Sequence, residues 1–190
     1  MGRKKRNGEN IIIPELQKIS SIENLVDKKI YFMGLLTREV EKRNSTPIVV
    51  GGSAVDFYTE GIYQSLDIDL VGNRKIIGEV LEIIFNFKPS GKSWFNEQIG
   101  LSVEIPDSYL AGDKDKLTVI KIEGLKVYVI GIEDLIIDRI NACVHWKSQT
   151  DCDQAQYMIR FYRDRLDFEY LENKARKEGT LTVLRDFCGT

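Results

Sequence analysis

The chain has 190 residues, 43% hydrophobic and 29% charged, with a formal net charge of −2 and a pI near 5.6. That balance supports one ordinary buried core and excludes a disordered chain, and it gives no global basic field for a nucleic-acid binder. The three cysteines, Cys143, Cys152 and Cys188, are odd in number and lack a C-x-x-C spacing. They predict reduced thiols in a cytoplasmic protein rather than a disulfide framework or a zinc ribbon. No apolar run reaches the ~18 residues that a membrane span requires.

In chain order, residues 1–10 are polar and predict a disordered basic tail. Its run Arg3-Lys4-Lys5-Arg6 reads more simply as a solvated terminus than as an RNA contact. Between residues 14 and 43 apolar side chains recur at helical spacing, and Ser20-Ser21 are candidate caps of one long helix. Residues 48–50 predict a short buried strand. A helix is expected from the glycines to residue 60, then a strand over 64–71, then an amphipathic helix over 74–85. Residues 92–105 predict two strands broken near Gly100. Residues 117–122 and 126–130 flank a short turn and predict a hairpin. Four helices follow, over 132–146, 151–163, 168–177 and 181–187. The fold class is therefore α/β or α+β: a mixed sheet flanked by helices, with a helical C-terminal part. The expected organisation is a tail over 1–10, a core with its N-terminal helix over 11–131, and a helical region over 132–190 packed on that core.

The informative chemistry lies in Val50-Gly51-Gly52-Ser53 followed by Asp67-Ile68-Asp69. Side chains alternate across a strand, so Asp67 and Asp69 share one face while Leu66, Ile68 and Leu70 are expected in the core. A glycine turn opening a helix lets a ligand approach the backbone and aims unpaired N–H groups at it, which suits phosphate. Ser53 would add a hydroxyl donor. Two adjacent carboxylates suit a hard cation such as Mg²⁺, held by one or two carboxylates plus phosphate oxygens. Glu104 is a lone acid in an apolar strand, costly there unless paired, solvated or metal-bound. It completes a three-carboxylate set for one or two Mg²⁺ ions.

These residues resemble the nucleotidyltransferase superfamily that includes DNA polymerase beta and kanamycin nucleotidyltransferase. The resemblance covers residues 48–105, and Gly131-Ile132-Glu133-Asp134-Leu135-Ile136 is similar to the segment that opens the helical part of small stand-alone prokaryotic members. It implies that Gly51, Gly52 and Ser53 bind a nucleoside triphosphate such as ATP. Asp67 and Asp69 would hold metal, and Glu104 would be metal ligand or general base. The implied reaction moves a nucleoside monophosphate to an acceptor that could be protein, RNA or a small molecule. Glu104 stands where many active members carry Asp. That departure leaves a second reading open: a binding module on the same fold, such as one partner of a toxin–antitoxin pair.

Other signals have simpler readings. Gly91-Lys92-Ser93 imitates the end of a P-loop, but Asn86 stands where the first glycine would be, so a turn is expected. Lys147 is a candidate contact for a triphosphate oxygen, set against a cation at a helix C-terminus, which is also the reading of His145. Cys143, His145 and Cys152 lack the fourth ligand of a zinc site. Asp134 and Asp138 share a helix face and suit interhelix ion pairing. Tyr157, Phe161, Tyr162, Phe168 and Tyr170 are expected in a helix-packing core.

Overall fold

The computed structural model describes residues 9–189, with side chains from residue 14 onward. The basic run at residues 3–6 lies outside the described residues, as does the disorder expected for 1–10 apart from Glu9 and Asn10, which open a helix. The long N-terminal helix is two helices, α1 (Glu9–Ser21) and α2 (Leu25–Glu41). Asn24 is the N-cap of α2, its side chain accepting from the Asp27 N–H at 3.0 Å. Ser20 and Ser21 instead turn their hydroxyls back onto the carbonyls of Leu16 and Lys18. That use competes with capping.

The strands are β1 (Ile48–Val49), β2 (Asp67–Val71), β3 (Lys88–Ser90), β4 (Ser93–Asn96), β5 (Leu101–Asp107), β6 (Thr118–Ile122) and β7 (Leu125–Val129). The helices beyond α2 are α3 (Gly51–Tyr58), α4 (Arg74–Ile83), α5 (Ile132–His145), α6 (Gln149–Tyr162), α7 (Phe168–Glu178) and α8 (Leu181–Cys188). All seven strands form one mixed sheet in the order β3-β4-β5-β2-β1-β7-β6. β3 escapes a periodicity reading because it is three exposed residues containing a proline. It pairs only with β4, and proline is tolerated at such an edge. Gly91 and Lys92 make the β3–β4 turn, the role expected of the P-loop imitation.

One sheet face is covered by α2 and α4. Approach there is close: a Cβ on Gly34 of α2 would lie 2.8 Å from Leu125, and one on Gly78 of α4 would lie 2.9 Å from Trp94. The core between them holds Phe32, Phe85 and Phe87 in ring contact at 5.2–5.4 Å, with Ile68, Leu70, Leu101, Val103 and Ile105 from the sheet fully buried. The opposite face carries Lys88, Ser93, Phe95, Ser102, Glu104, Asp67 and Asp69, all exposed or half-buried. Leu66 lies just before β2 and is 82% exposed, so it is not the core residue that strand alternation predicts. The strand begins at Asp67, and the alternation rule has no hold on the loop before it.

The C-terminal helices join the rest of the chain through α3 and α5. The Tyr58 hydroxyl, at the end of α3, bonds the Ile130 carbonyl at 2.8 Å, and the Tyr162 hydroxyl from α6 donates to the Tyr58 carbonyl at 2.9 Å. Tyr63, Tyr157, Phe161, Tyr162 and Tyr58 form a continuous string of ring contacts. Of the aromatic residues expected in a helix-packing core, Tyr162 and Phe168 pack against it, whereas Tyr157, Phe161 and Tyr170 lie outside it. They are half-buried or exposed, with Phe161 at 55%, and several of them link helices at the surface. Cys143 and Cys152 form a disulfide across the α5–α6 turn, with Cα atoms 4.8 Å apart. This corrects the expectation of three reduced thiols: a nine-residue spacing carries no pairing signal until two helices fold back on each other. Cys188 is free and buried. Among the described residues, no helix is long and apolar enough to cross a membrane.

Candidate active site

The site is built where β1 ends, α3 begins and β2 starts. Val50 is the extended N-cap residue of α3, and Gly51 follows it with φ 57°. A side chain there would be strained, and its Cβ would also lie 3.0 Å from Asp69 Oδ2. A Cβ on Gly52 would meet Ser65 Oγ at 3.3 Å and the same Asp69 oxygen at 3.4 Å. The two glycines therefore admit the Asp69 carboxylate over the start of α3. The Ser53 N–H points at Asp69 Oδ2 at 3.3 Å, and the Gly52 amide also stabilises this carboxylate.

Ser53 is buried, and its hydroxyl donates to the Asp67 carbonyl at 2.5 Å while accepting from the Asp69 N–H at 3.1 Å. The phosphate-donor part read for this hydroxyl is thus taken by the backbone of β2. The side chain pins α3 to the strand that bears the acids. A motif shows which residue is present, but not that its proton is already engaged.

Glu104 meets the aspartates through sheet register. β2 and β5 run parallel, with Asp67 opposite Ser102 and Asp69 opposite Glu104. Opposed residues put their side chains on one face. Across β4 the same rows continue through Phe95 and Ser93, and Lys88 lies opposite Phe95 on β3. The open face therefore presents two rows, Asp67–Ser102–Phe95–Lys88 and Asp69–Glu104–Ser93–Ser90. Phe95 and Lys88 are exposed members that a search for acids does not find.

Burial raises the Asp69 carboxyl above its ordinary range. The Ser53 and Gly52 amides pull it back, and the charges of Glu104 and Asp67 push it further up. No ion pair joins Asp67, Asp69 or Glu104 to a cation among the described residues. Also among the described residues, no three His, Cys, Asp or Glu side chains form a ready-made metal-holding group. The donor set is two neighbouring aspartates, all oxygen, with an acid on the next strand. That fits a hard cation whose remaining ligands are phosphate oxygens and water.

Lys147 is exposed in the α5–α6 turn with φ 56°, and His145 is in the last turn of α5. Among the described residues, no hydrogen bond or ion pair ties Lys147 to the aspartates. Asp138 pairs with Arg139, which also bridges to Asp151 of α6 at 2.7 Å, while Asp134 pairs with Lys174 of α7 at 3.3 Å. Lys29 of α2 was not singled out by the sequence. It sits among apolar helix positions and is nevertheless buried, paired with Asp56 of α3 at 2.8 Å.

A strand, glycine-led helix and acid-bearing strand in this arrangement define a nucleotidyltransferase fold. The chain belongs to the family described as "Nucleotidyltransferase of unknown function (DUF6036)", whose profile matches residues 30–186. Two solved structures share the fold. One is an antigenic nucleotidyltransferase-like protein from Paracoccidioides brasiliensis, 17% identical with a TM-score of 0.56, the match covering 82% of this chain and 91% of that one. The other is ANT(2")-Ia in complex with adenylyl-2"-tobramycin, 15% identical with a TM-score of 0.52, covering 79% and 96%. No curated protein matches the chain.

Proposed function

We propose that this protein is a Mg²⁺-dependent nucleotidyltransferase that moves a nucleoside monophosphate from an NTP, ATP in the first instance, to an acceptor nucleophile. The observation that carries the reading is that Asp67, Asp69 and Glu104 share one open sheet face beside the glycine-led start of α3. An acceptor oxygen attacks the α-phosphorus, the bond to the β-phosphate oxygen breaks, and pyrophosphate leaves. Asp67 and Asp69 would hold Mg²⁺, which supplies charge neutralisation on the phosphates and lowers the pKa of the attacking hydroxyl. Glu104 accepts the acceptor's proton or adds a ligand. Gly51 and Gly52 let the triphosphate approach the backbone, and Lys147 is its candidate cationic partner. Positioning and electrostatics carry such a reaction.

The open rows through Phe95 and Lys88 give the acceptor ground to lie on. A protein, an RNA and a small molecule all belong in the panel. Adenylyl-2"-tobramycin in the ANT(2")-Ia complex is the reason to include an aminoglycoside. ATP as donor goes with a cytoplasmic setting, in which the Cys143–Cys152 pair would meet a reducing pool.

The test is pyrophosphate release from ATP and Mg²⁺ across that panel, the protein itself included. Wild-type turnover is expected, with Asp67→Asn inactive yet folded. Equal activity in both would sink the proposal. A second reading, nucleotide binding without transfer, as in a toxin–antitoxin partner, is favoured by Glu104 and by the prior engagement of the Ser53 hydroxyl. It predicts a higher melting temperature with ATP and Mg²⁺ but no pyrophosphate from any acceptor.

A further inference from the structure

Below the acids lies a buried ion pair that the proposed chemistry does not use. The side chains of Lys29 and Asp56 are only 7% and 2% exposed. They line a small cavity, about 20 Å³, walled apart from Ser53 by apolar residues such as Val26, Ile30, Val49 and Ile68. Two charges in such surroundings cost about as much in desolvation as their attraction returns, so stability alone does not explain them. Asp56 Oδ1 is buried with no hydrogen-bond partner among the described residues. A pair that left an oxygen unsatisfied would be a poor choice for packing.

The ammonium does one thing that an apolar side chain could not. It also donates to the carbonyl of Ser65, in the segment joining α3 to β2. The Ser65 hydroxyl donates to the Asp67 carbonyl at 2.9 Å, the same carbonyl that Ser53 holds at 2.5 Å. A continuous chain thus runs from Asp56 through Lys29 and Ser65 to the backbone of Asp67, and through Ser53 on to Asp69. Asp67 is the first residue of β2, so little of its own strand holds it.

We propose that Lys29 is a positioning residue: it fixes the backbone entering β2 and so sets Asp67 and Asp69 at the separation a divalent cation requires. Asp56 serves to hold the ammonium aimed at the Ser65 carbonyl. This rests on the nucleotidyltransferase reading. Outer partners of metal ligands of this kind are worth about 10–100-fold in metal affinity.

The experiment separates positioning from stability. The double variant Lys29→Met with Asp56→Leu replaces the pair by apolar residues, an exchange that is often neutral or stabilising. Mn²⁺ uptake in the presence of a non-hydrolysable ATP analogue is followed by loss of the free-ion EPR signal, beside a melting curve. The double variant is expected to melt like wild type and bind Mn²⁺ about 10–100-fold more weakly. Wild-type melting with wild-type Mn²⁺ affinity would overturn the inference. Ser65→Ala cuts the next link and leaves the pair intact. It should also weaken Mn²⁺ binding, and unchanged affinity there overturns the inference even where the double variant does not fold. Wild-type protein that takes up no Mn²⁺ is a different result, since it removes the metal-dependent reading and this inference with it.

Discussion

Two neighbouring acid pairs, Glu133–Asp134 at the start of α5 and Asp67–Asp69 on β2, are treated in opposite ways. Glu133 and Asp134 open α5 and are buried. Asp134 accepts from the Asp113 N–H and the Tyr170 hydroxyl, both at 2.7 Å, and pairs with Lys174; Glu133 accepts from the Asp167 N–H at 3.0 Å. Burial and the adjacent Asp134 carboxylate push the Tyr170 phenol up. Asp69, over the start of α3, receives amides but no cation, and it faces two further carboxylates. The first pair is spent on joining α5 to α7 and to the segment before β6. The second is left with its charge unanswered on an open face. The proposed chemistry falls to the acids that the fold leaves without a cation.

Substitution at each pair tests that contrast. The largest effect is expected from Asp69→Asn: about a 10³-fold loss of pyrophosphate release, because metal charge stabilisation is worth several kcal/mol. Its melting temperature should equal or exceed that of wild type in the absence of Mg²⁺. Asp134→Ala should behave in the opposite sense, leaving Mn²⁺ affinity intact. It strands charge-assisted hydrogen bonds, with a cost of about 2–3 kcal/mol and a melting temperature lower by roughly 4–12 °C. Intact stability in Asp134→Ala would erase the distinction between the pairs.

Gly51→Ala is expected to have a smaller effect than either. A Cβ in the left-handed region costs about 1–2 kcal/mol, and here it also presses on Asp69 Oδ2. Calorimetry should show the loss, accompanied by weaker Mn²⁺ binding. The pH dependence provides a finer probe. The Asp69 carboxyl is raised in the folded state, so its contribution to stability is fully present below the ordinary aspartate range. That contribution declines as pH rises through the raised folded value. Melting curves against pH should show this decline in wild type, its suppression by Mg²⁺, and its absence in Asp69→Asn. Lys147→Ala should do least: an exposed cation is worth at most about 1 kcal/mol, hence up to about fivefold in ATP affinity. No change would remove Lys147 from the nucleotide site.

Much of the fold was open to reading from local chemistry. The helical repeats of α2 and α4, the β6–β7 hairpin around Glu123-Gly124, and the four C-terminal helices follow from periodicity and turn residues. The break at Gly100 was also legible, since a glycine with φ 66° sits between β4 and β5. Less visible was the division of α1 from α2, because apolar spacing continues through residues 22–25 and only Asn24's cap marks the boundary. β3 was hidden by its length and its proline.

By itself the sequence determined the nucleotidyltransferase resemblance, the α/β class and the shared strand face of Asp67 and Asp69, because strand alternation and a glycine turn are local and few residue types satisfy them. What only the tertiary structure decided depends on partners distant in the chain. Glu104 stands opposite Asp69 because β5 inserts beside β2, and Ser53 holds β2 rather than offering its hydroxyl outward. Cys143 meets Cys152 when α5 and α6 fold back. Lys29 answers Asp56 and Ser65, 27 and 36 residues away, across a buried interface. Such contacts arise from register and layer packing, which no single stretch of sequence encodes.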